Sequence, residues 1–502
     1  MGGGLLQLVA YGAQDAYLSG NPQITFWRGL FKRHTNFAME PFRVTTSGQA
    51  AWGTKHSAIL GRNADLVSSC YLEVILDVID AKTYPIRYGP NDQTFLTNPL
   101  RTVNDGLLLP GLQYSISTVR TGAGAVSDFT TIGAPNNNIG TVFVATAAAT
   151  TPVGTGTVVQ VAQTNNLSPV KAAYNMLKYV ELDIGGQVID RLYGEWMFIW
   201  TMLTHNFDKW NQLSAMMYDT GQGQGLVGIA GRPILGNNYI IPLPFYFGRN
   251  PGAALPLIAL QYHEVKINIM WNKTEIVQSS ANVQTGANLI NGPRQCNVVC
   301  DYIYLDVEER RRMAQESHEY LIEQTQFNES KGCSGAQVRV DLTFNHPVKE
   351  LVWVVQNSAF GNCKISNSAN AALLGVFDPL NYRENAMYNA NIQLNGQDRM
   401  QTLYSPYFNA VQPYQHHSGG FAFNTGDNAG VYMYSFALKP EEHQPSGTCN
   451  FSRIDTATLV MGLNGSTNVS LQDPQNYDVR VYAVNYNILR VMSGMGGLAY
   501  SN

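Results

Sequence analysis

The chain has 502 residues, too many for one hydrophobic core, so two domains of roughly 200 residues are expected. The hydrophobic fraction of 45% is ordinary, but only 14% of residues are charged, alongside 27 Tyr, 20 Phe and 46 Gly. This excludes disorder and long solvated helices, and a net charge of −4 excludes nucleic acid as the main partner, because phosphate contacts need a basic face.

Residues 1–25 read as a Gly-rich arm ending in the turn cluster Ser19-Gly-Asn-Pro22. Its start, Met1-Gly-Gly-Gly-Leu5, lacks the charged segment and long apolar core of a signal peptide, and Leu6 stands where a myristoylation signal needs Ser or Thr. No run of about 18 apolar residues predicts a membrane span. Leu5, Leu6, Leu8, Val9, Tyr11 and Tyr17 make the arm too apolar for water, so docking on a neighbouring chain or an inner layer is expected. Lys32-Arg33-His34 reads as a solvated surface patch.

From Phe42 the pattern is β. Leu72, Val74, Leu76 and Val78 share one strand face, with Glu73 and Asp77 on the other. Residues 85–168 turn rich in Gly, Thr, Ala and Asn, and Thr141–Val144 and Val158–Val161 predict a small β excursion there. Next comes Glu181-Leu-Asp-Ile-Gly-Gly-Gln-Val-Ile-Asp-Arg191, a strand, a Gly turn and a returning strand. Trp196, Ile199, Trp200, Leu203, Phe207, Trp210, Leu213 and Met217 then recur at steps of three and four, predicting one helix with a core-facing stripe. Strands return at residues 265–271 and 299–305. The dense charge from Asp306 to Gln324 reads as a joint.

The second half opens with the alternating residues 338–344 and the buried run Leu351-Val-Trp-Val-Val355. Asn391-Ile-Gln-Leu-Asn-Gly-Gln-Asp-Arg399 then nearly repeats the earlier hairpin, Asn-Gly being a strong two-residue turn signal. The two copies lie far outside the roughly 20–50-residue period of a solenoid, so a whole β domain is repeated in tandem. Residues 431–438 and 479–486 supply further strands. Many short strands between Gly, Pro and Asn turns, twice over, predict two β-sandwiches or barrels.

No constellation predicts chemistry. Gly223-Gln-Gly-Leu-Val-Gly228 has dinucleotide-loop spacing but follows a helix and leads into Arg232-Pro233, so it reads as a turn. Asp219-Thr-Gly221 would need a second carboxylate loop for aspartic-type hydrolysis, and Asp455-Thr-Ala457 lacks the Gly. His263-Glu264 and His318-Glu319 have no second His four residues on, and His416 and His417 are adjacent, so no zinc site is predicted. Six scattered cysteines, Cys70, Cys296, Cys300, Cys333, Cys363 and Cys449, read as free thiols of a reducing compartment. Six Asn-x-Ser/Thr sequences begin at Asn166, Asn272, Asn328, Asn450, Asn464 and Asn468, and read as chance matches. The expectation is no catalytic residue, no metal and no cofactor.

The chain closely resembles, over nearly its whole length, the major capsid proteins of nucleocytoplasmic large DNA viruses of the algal-virus and iridovirus type. The residues that carry the likeness are Leu8-Val-Ala-Tyr-Gly-Ala-Gln-Asp15, Gly20-Asn-Pro-Gln-Ile-Thr25 and Arg33-His-Thr-Asn-Phe37, followed by Ala254-Leu-Pro-Leu-Ile-Ala-Leu-Gln-Tyr-His-Glu-Val265 and His318-Glu-Tyr-Leu-Ile-Glu-Gln324. Phe344-Asn-His-Pro347, Gln412-Pro-Tyr-Gln415, the run from Pro445 to Asp455 and the close from Tyr486 to Tyr500 complete it. The resemblance implies an all-β fold of two tandem eight-stranded jelly rolls with short helical excursions: arm 1–25, first roll 26–313 with an inserted loop at 85–168, second roll 314–502. It implies a homotrimeric, pseudo-hexagonal capsomer tiling an icosahedral virion shell, made in the host cytoplasm. The partners implied are other copies of the chain, minor capsid proteins and, through the arm, an inner membrane, without direct nucleic-acid contact. The insertion, longer than in shorter members, is expected to face outward. Two other classes stand beside this reading: a particle-surface lectin or spike with a saccharide pocket, and an aspartic-type hydrolase working through Asp219.

Overall fold

The computed structural model describes residues 3–27, 29, 31–48, 50–76, 176–216, 238–272, 293–357, 387–419, 430–463 and 477–500, with short pieces between 102 and 174. Asp219-Thr-Gly221, Gly223–Gly228, Cys363, Asn166, Asn464, Asn468 and the ends of several expected strands lie outside the described residues.

The arm carries helices α1 (Gly3–Val9) and α2 (Ala16–Ser19) and leads to β1 (Phe37–Thr45), β2 (Lys55–Ile59) and β3 (Leu66–Leu76). Four short strands follow: β4 (Thr102–Asn104), β5 (Gln113–Thr118), β6 (Val142–Val144) and β7 (Thr157–Gln160). They pair among themselves in the order β4-β7-β5-β6. Then come β8 (Leu177–Ile184), β9 (Gln187–Tyr193), helices α3 (Gly194–Thr204) and α4 (Phe207–Met216), β10 (Asn238–Leu243), α5 (Tyr246–Arg249), β11 (Val265–Trp271) and β12 (Pro293–Leu305). Two antiparallel sheets result, β1-β12-β3-β10 and β2-β11-β8-β9.

After α6 (Val307–Gln315) the same plan recurs. The strands are β13 (His318–Cys333), β14 (Gln337–Asp341), β15 (Pro347–Asn357), β16 (Met387–Leu394), β17 (Gln397–Asp398) and β18 (Leu403–Tyr404). After α7 (Gln412–His416) come β19 (Val431–Ser435), β20 (Cys449–Asn450), β21 (Ala457–Leu463), β22 (Tyr477–Met492) and β23 (Met495–Leu498). The main sheets are β13-β22-β15-β19 and β14-β21-β16-β17. In each half the first, eighth, third and sixth main strands form one sheet and the second, seventh, fourth and fifth the other. That is a jelly roll, made twice.

The repeated hairpins occupy equivalent places. Gly185 and Gly186 turn between β8 and β9 with φ of +61° and +88°, and Asn395 and Gly396 turn between β16 and β17 at +50° and +77°. Two successive positive φ values are what a type I′ turn requires, which explains why both copies keep Gly or Asn there.

One sheet explains the uninterrupted apolar run at 351–355. Leu351, Trp353 and Val355 point into the core of the second roll, whereas Val352 and Val354 join the larger core that includes the first. Its neighbours alternate likewise: Val479, Val481, Tyr432 and Tyr434 face inward, and Tyr482, Val484, Val431 and Met433 face the first roll. A strand covered on both faces loses the polar half of its alternation.

One expectation is corrected. The single amphipathic helix over 196–217 is two helices, and α3 is buried all round from Trp196 to Leu203 because both rolls cover it. The chain becomes extended at His205, and Asn206 Oδ1 accepts from Lys209 N at 3.0 Å to start α4. The charge-dense joint is itself helical: α6 is capped by Asp306, with Glu308 and Glu309 in its first turn and Arg312 in its last, complementing its dipole.

Candidate functional site: the junction between the rolls and the exposed arm

The chain after β9 runs straight into α3, so the helix projects from the first roll against the doubly covered sheet of the second. Its first turn carries Glu195, which takes two hydrogen bonds from Arg480 on β22, Nε to Oε2 and Nη2 to Oε1, each 2.7 Å. Tyr482 donates to the same carboxylate at 2.5 Å, and Arg480 also reaches Gln356 on β15 at 2.8 Å. Beside this clamp Tyr193, Trp196, Phe327 and Tyr482 form an aromatic cluster, with ring centroids 4.6 Å apart for Tyr193–Phe327 and 5.4 Å for Trp196–Tyr482. On β9 Asp190 accepts from Thr325 N at 3.0 Å, while Gln324 donates to the Ile189 carbonyl. Burial pushes the Asp190 carboxyl up to about 6, against the opposing pull of its backbone hydrogen bonds and Arg249.

A second, more charged layer lies farther along α3. Glu323 is held by Arg249 at 2.7 Å and by the fully buried Lys349 at 2.8 Å, and the Arg249 guanidinium lies 4.0 Å from the Trp200 ring centre. Next to it His417 is locked between two carboxylates, Nε2 to Glu350 Oε2 and Nδ1 to Glu441 Oε1, both 2.9 Å. Two acidic partners require both ring nitrogens to donate, so the imidazole is a cation. Burial would lower its pKa, but Glu350 and Glu441 prevail and raise it to about 9. For Glu350 too, burial acts to raise the pKa, yet His417, Lys349 and Arg249 hold the carboxyl below its ordinary value. The loop carrying His417 is tied to the end of α3: Ser418 Oγ donates to the Thr204 carbonyl at 3.1 Å and Gly419 N to the Leu203 carbonyl at 2.8 Å. A third seam joins the carboxyl-terminal hairpin to the first roll through Tyr262 N to Gly494 O at 2.9 Å and His263 Nδ1 to Gly496 O at 2.9 Å.

The arm is the opposite case. None of α1 is buried, and Leu8, Tyr17, Leu18, Ile24, Phe26, Trp27 and Phe31 are all exposed, Phe26 completely. Such a run of large apolar side chains marks a surface made to be covered by something else. It leads into β1, an edge strand whose Phe37 and Met39 are also exposed.

The structure does not gather the sequence candidates into one place. His263 and His318 contact backbone carbonyls, and Asp455 is on the surface. His416 and His417 do diverge, His416 to the Leu438 carbonyl and His417 into the junction. The side-chain amides of Asn272 and Asn328 donate to the carbonyls of Leu177 and Asp341, and Asn450 caps Ser452 N. Among the described residues no group of three or more His, Cys, Asp or Glu could hold a metal, and no helix is long and apolar enough to cross a membrane. Sequence reasoning missed the junction charges, Glu195, Arg249, Glu323, Lys349, Glu350 and Arg480. For those on strands the signal was charge within apolar sequence, as at Lys349-Glu350 just before the run at 351–355.

The sequence pattern of a family described as large eukaryotic DNA virus major capsid protein matches residues 309–497, and a second, major capsid protein N-terminus, matches residues 25–104 and 149–306. Among curated relatives, the major capsid protein of Pyramimonas orientalis virus is 38% identical and that of Paramecium bursaria Chlorella virus 1 is 35% identical, each matched over 100% of both chains. The solved VP54 of PBCV-1 superposes with a TM-score of 0.63 at 31% identity, covering 95% of this chain and 100% of its own. The Faustovirus major capsid protein, at 13% identity and a TM-score of 0.59 over 96% of this chain and 94% of its own, shares the fold. None of these relatives supports a lectin or spike. With two jelly rolls of one strand order and full-length relatives of this kind, the chain belongs to the major capsid proteins of large eukaryotic DNA viruses.

Proposed function

We propose that the chain is the self-assembling subunit of an icosahedral shell and that three copies close into a capsomer of pseudo-hexagonal outline. The observation that carries this is the pair of rolls with the same strand order, fixed to each other through α3. Three such chains around a threefold axis present six similar walls, and cyclic closure sets the number of copies. The low charge of the chain suits a surface largely covered by other copies, since obligate interfaces bury about 2,000–5,000 Å².

In this reading residues 1–25 are the arm, 26–313 the first roll and 314–502 the second. The insertion between β3 and β8 faces outward, and the arm lies on the inner side against minor capsid proteins or an inner membrane. The subunit works without catalysis, cofactor or nucleic-acid contact and is made in the host cytoplasm. Sizing the purified protein by light scattering tests the core of the proposal: a stable species of three chain masses that tiles into sheets is expected, and a persistent monomer would overturn it. Removing residues 1–24 should block shell closure while leaving the trimer; unchanged assembly would remove the role given to the arm.

A further inference from the structure

Cys70 on β3 and Cys300 on β12 stand directly opposite each other in the antiparallel register, and the ladder shifts just after Cys300. Directly opposed residues in such a pair have Cα atoms about 4.5–5.5 Å apart, inside the span a disulfide bridges. The two sulfurs are 2.6 Å apart, well within the roughly 3.5–4 Å of ordinary nonbonded contact between heavy atoms. Both side chains are buried, and both are free thiols in the structure. The other described cysteines are placed differently: Cys296, on the same strand, faces Val74, and the Cys333 sulfur lies against Ser330.

We propose that Cys70 and Cys300 are an oxidisable pair that closes to a cross-strand disulfide inside the first roll, with a low-molecular-weight disulfide such as oxidised glutathione as the oxidant. One cysteine thiolate attacks the glutathione disulfide, forming a mixed disulfide and releasing one glutathione. The second thiolate attacks the protein sulfur of that mixed disulfide and releases the other. The two cysteines lose two electrons and two protons, and glutathione disulfide gains them as two thiols. Burial, then Cys300 and Asp301, push the Cys70 thiol well above its ordinary range. Thiolate attack therefore belongs to the stage before the sheet is covered, and the finished roll shields the bond from reductants. The bond would tie β3 to β12 across the insertion, the first hairpin and helices α3, α4 and α5, a long loop of the kind for which cross-linking constrains the unfolded chain most.

The test uses the full chain refolded in excess oxidised glutathione, alkylated under denaturing conditions and digested without reduction. The proposal expects one dominant linked peptide pair, joining Cys70 to Cys300, with the other cysteines alkylated. Alkylation of both Cys70 and Cys300, or linkages spread evenly over all cysteines, overturns it. A second measurement needs no correctly folded variant: wild-type protein refolded with oxidised glutathione should melt about 5 °C or more above wild-type protein refolded with reductant throughout. An unchanged midpoint in linked protein would show that the bond does not brace the roll. C70A/C300A, where it folds, should be indifferent to reductant.

Discussion

Arg480 holds Glu195 in a two-pronged grip across the boundary between the rolls, with both contacts at 2.7 Å and both side chains largely shielded. Glu195 is the second residue of α3, so the grip fixes the helix where it leaves the first roll. Removing one partner of a shielded pair leaves the other charge unpaired in a place water hardly reaches. R480A should lower unfolding stability by about 3 kcal/mol. R480A/E195A should lose less than the sum of the two single changes, and a double-mutant cycle in urea measures the difference. Additive losses would mean the two residues act independently.

His417 gives the junction a pH dependence of definite sign. Its folded pKa of about 9 lies above the ordinary 6.5, so the folded chain keeps a proton that the unfolded chain releases. The stabilisation is complete below about 6.5 and disappears as pH rises through 9. His417→Gln should be less stable than wild type at pH 6 by about 3 kcal/mol, with the gap closing by pH 10. Thermal melts of both proteins across that range check it, and a gap independent of pH would assign His417 a packing role only.

Asp190 acts in the opposite part of the pH scale. Its carboxyl sits near 6 against an ordinary 3.8, so ionisation costs the folded state more than the unfolded one. Its contribution to stability falls as pH rises from about 4 to 6. Asp190→Asn keeps an acceptor for Thr325 N but cannot ionise, so its stability relative to wild type should improve across that window. Chemical unfolding at pH 4 and pH 7 gives the comparison.

At Gly419 the backbone of the His417 loop meets the end of α3, Gly419 N donating to the Leu203 carbonyl at 2.8 Å. A Cβ there would lie 2.5 Å from the Leu203 carbonyl oxygen and 2.7 Å from that of His205, both main-chain atoms with little room to yield. Gly419→Ala should push the His417 loop off the end of α3, at about 1–3 kcal/mol. Hydrogen exchange should speed up at Gly419 and its neighbours while the core of β16 and β21 stays protected.

The tandem architecture was legible because type I′ turns leave an imprint on sequence: two successive positive φ values favour Gly and Asn, and Gly185-Gly186 and Asn395-Gly396 both carry them. The strand at Val265–Trp271 was equally readable, since Val265, Ile267, Ile269 and Trp271 alternate in the sequence and all are buried. The break at His205 was not, because Trp196 to Met217 keeps a helical period through it and only the packing of α3 between two bodies decides where the helix stops. The junction charges were hidden for a related reason. Glu195 and Arg480 are far apart in the chain, and His417 does not look unusual beside its neighbours until the fold brings it against Glu350.

The sheet β13-β22-β15-β19 lends one face to each hydrophobic interior, and β22, one of its two inner strands, comes after the whole of the first roll in the chain. Until that strand slots in, a nascent polypeptide that has already made the first lobe still shows bare oily surface on it. The first lobe is covered only once the second has formed, so a holdase that shields it during synthesis should raise the yield of native subunit.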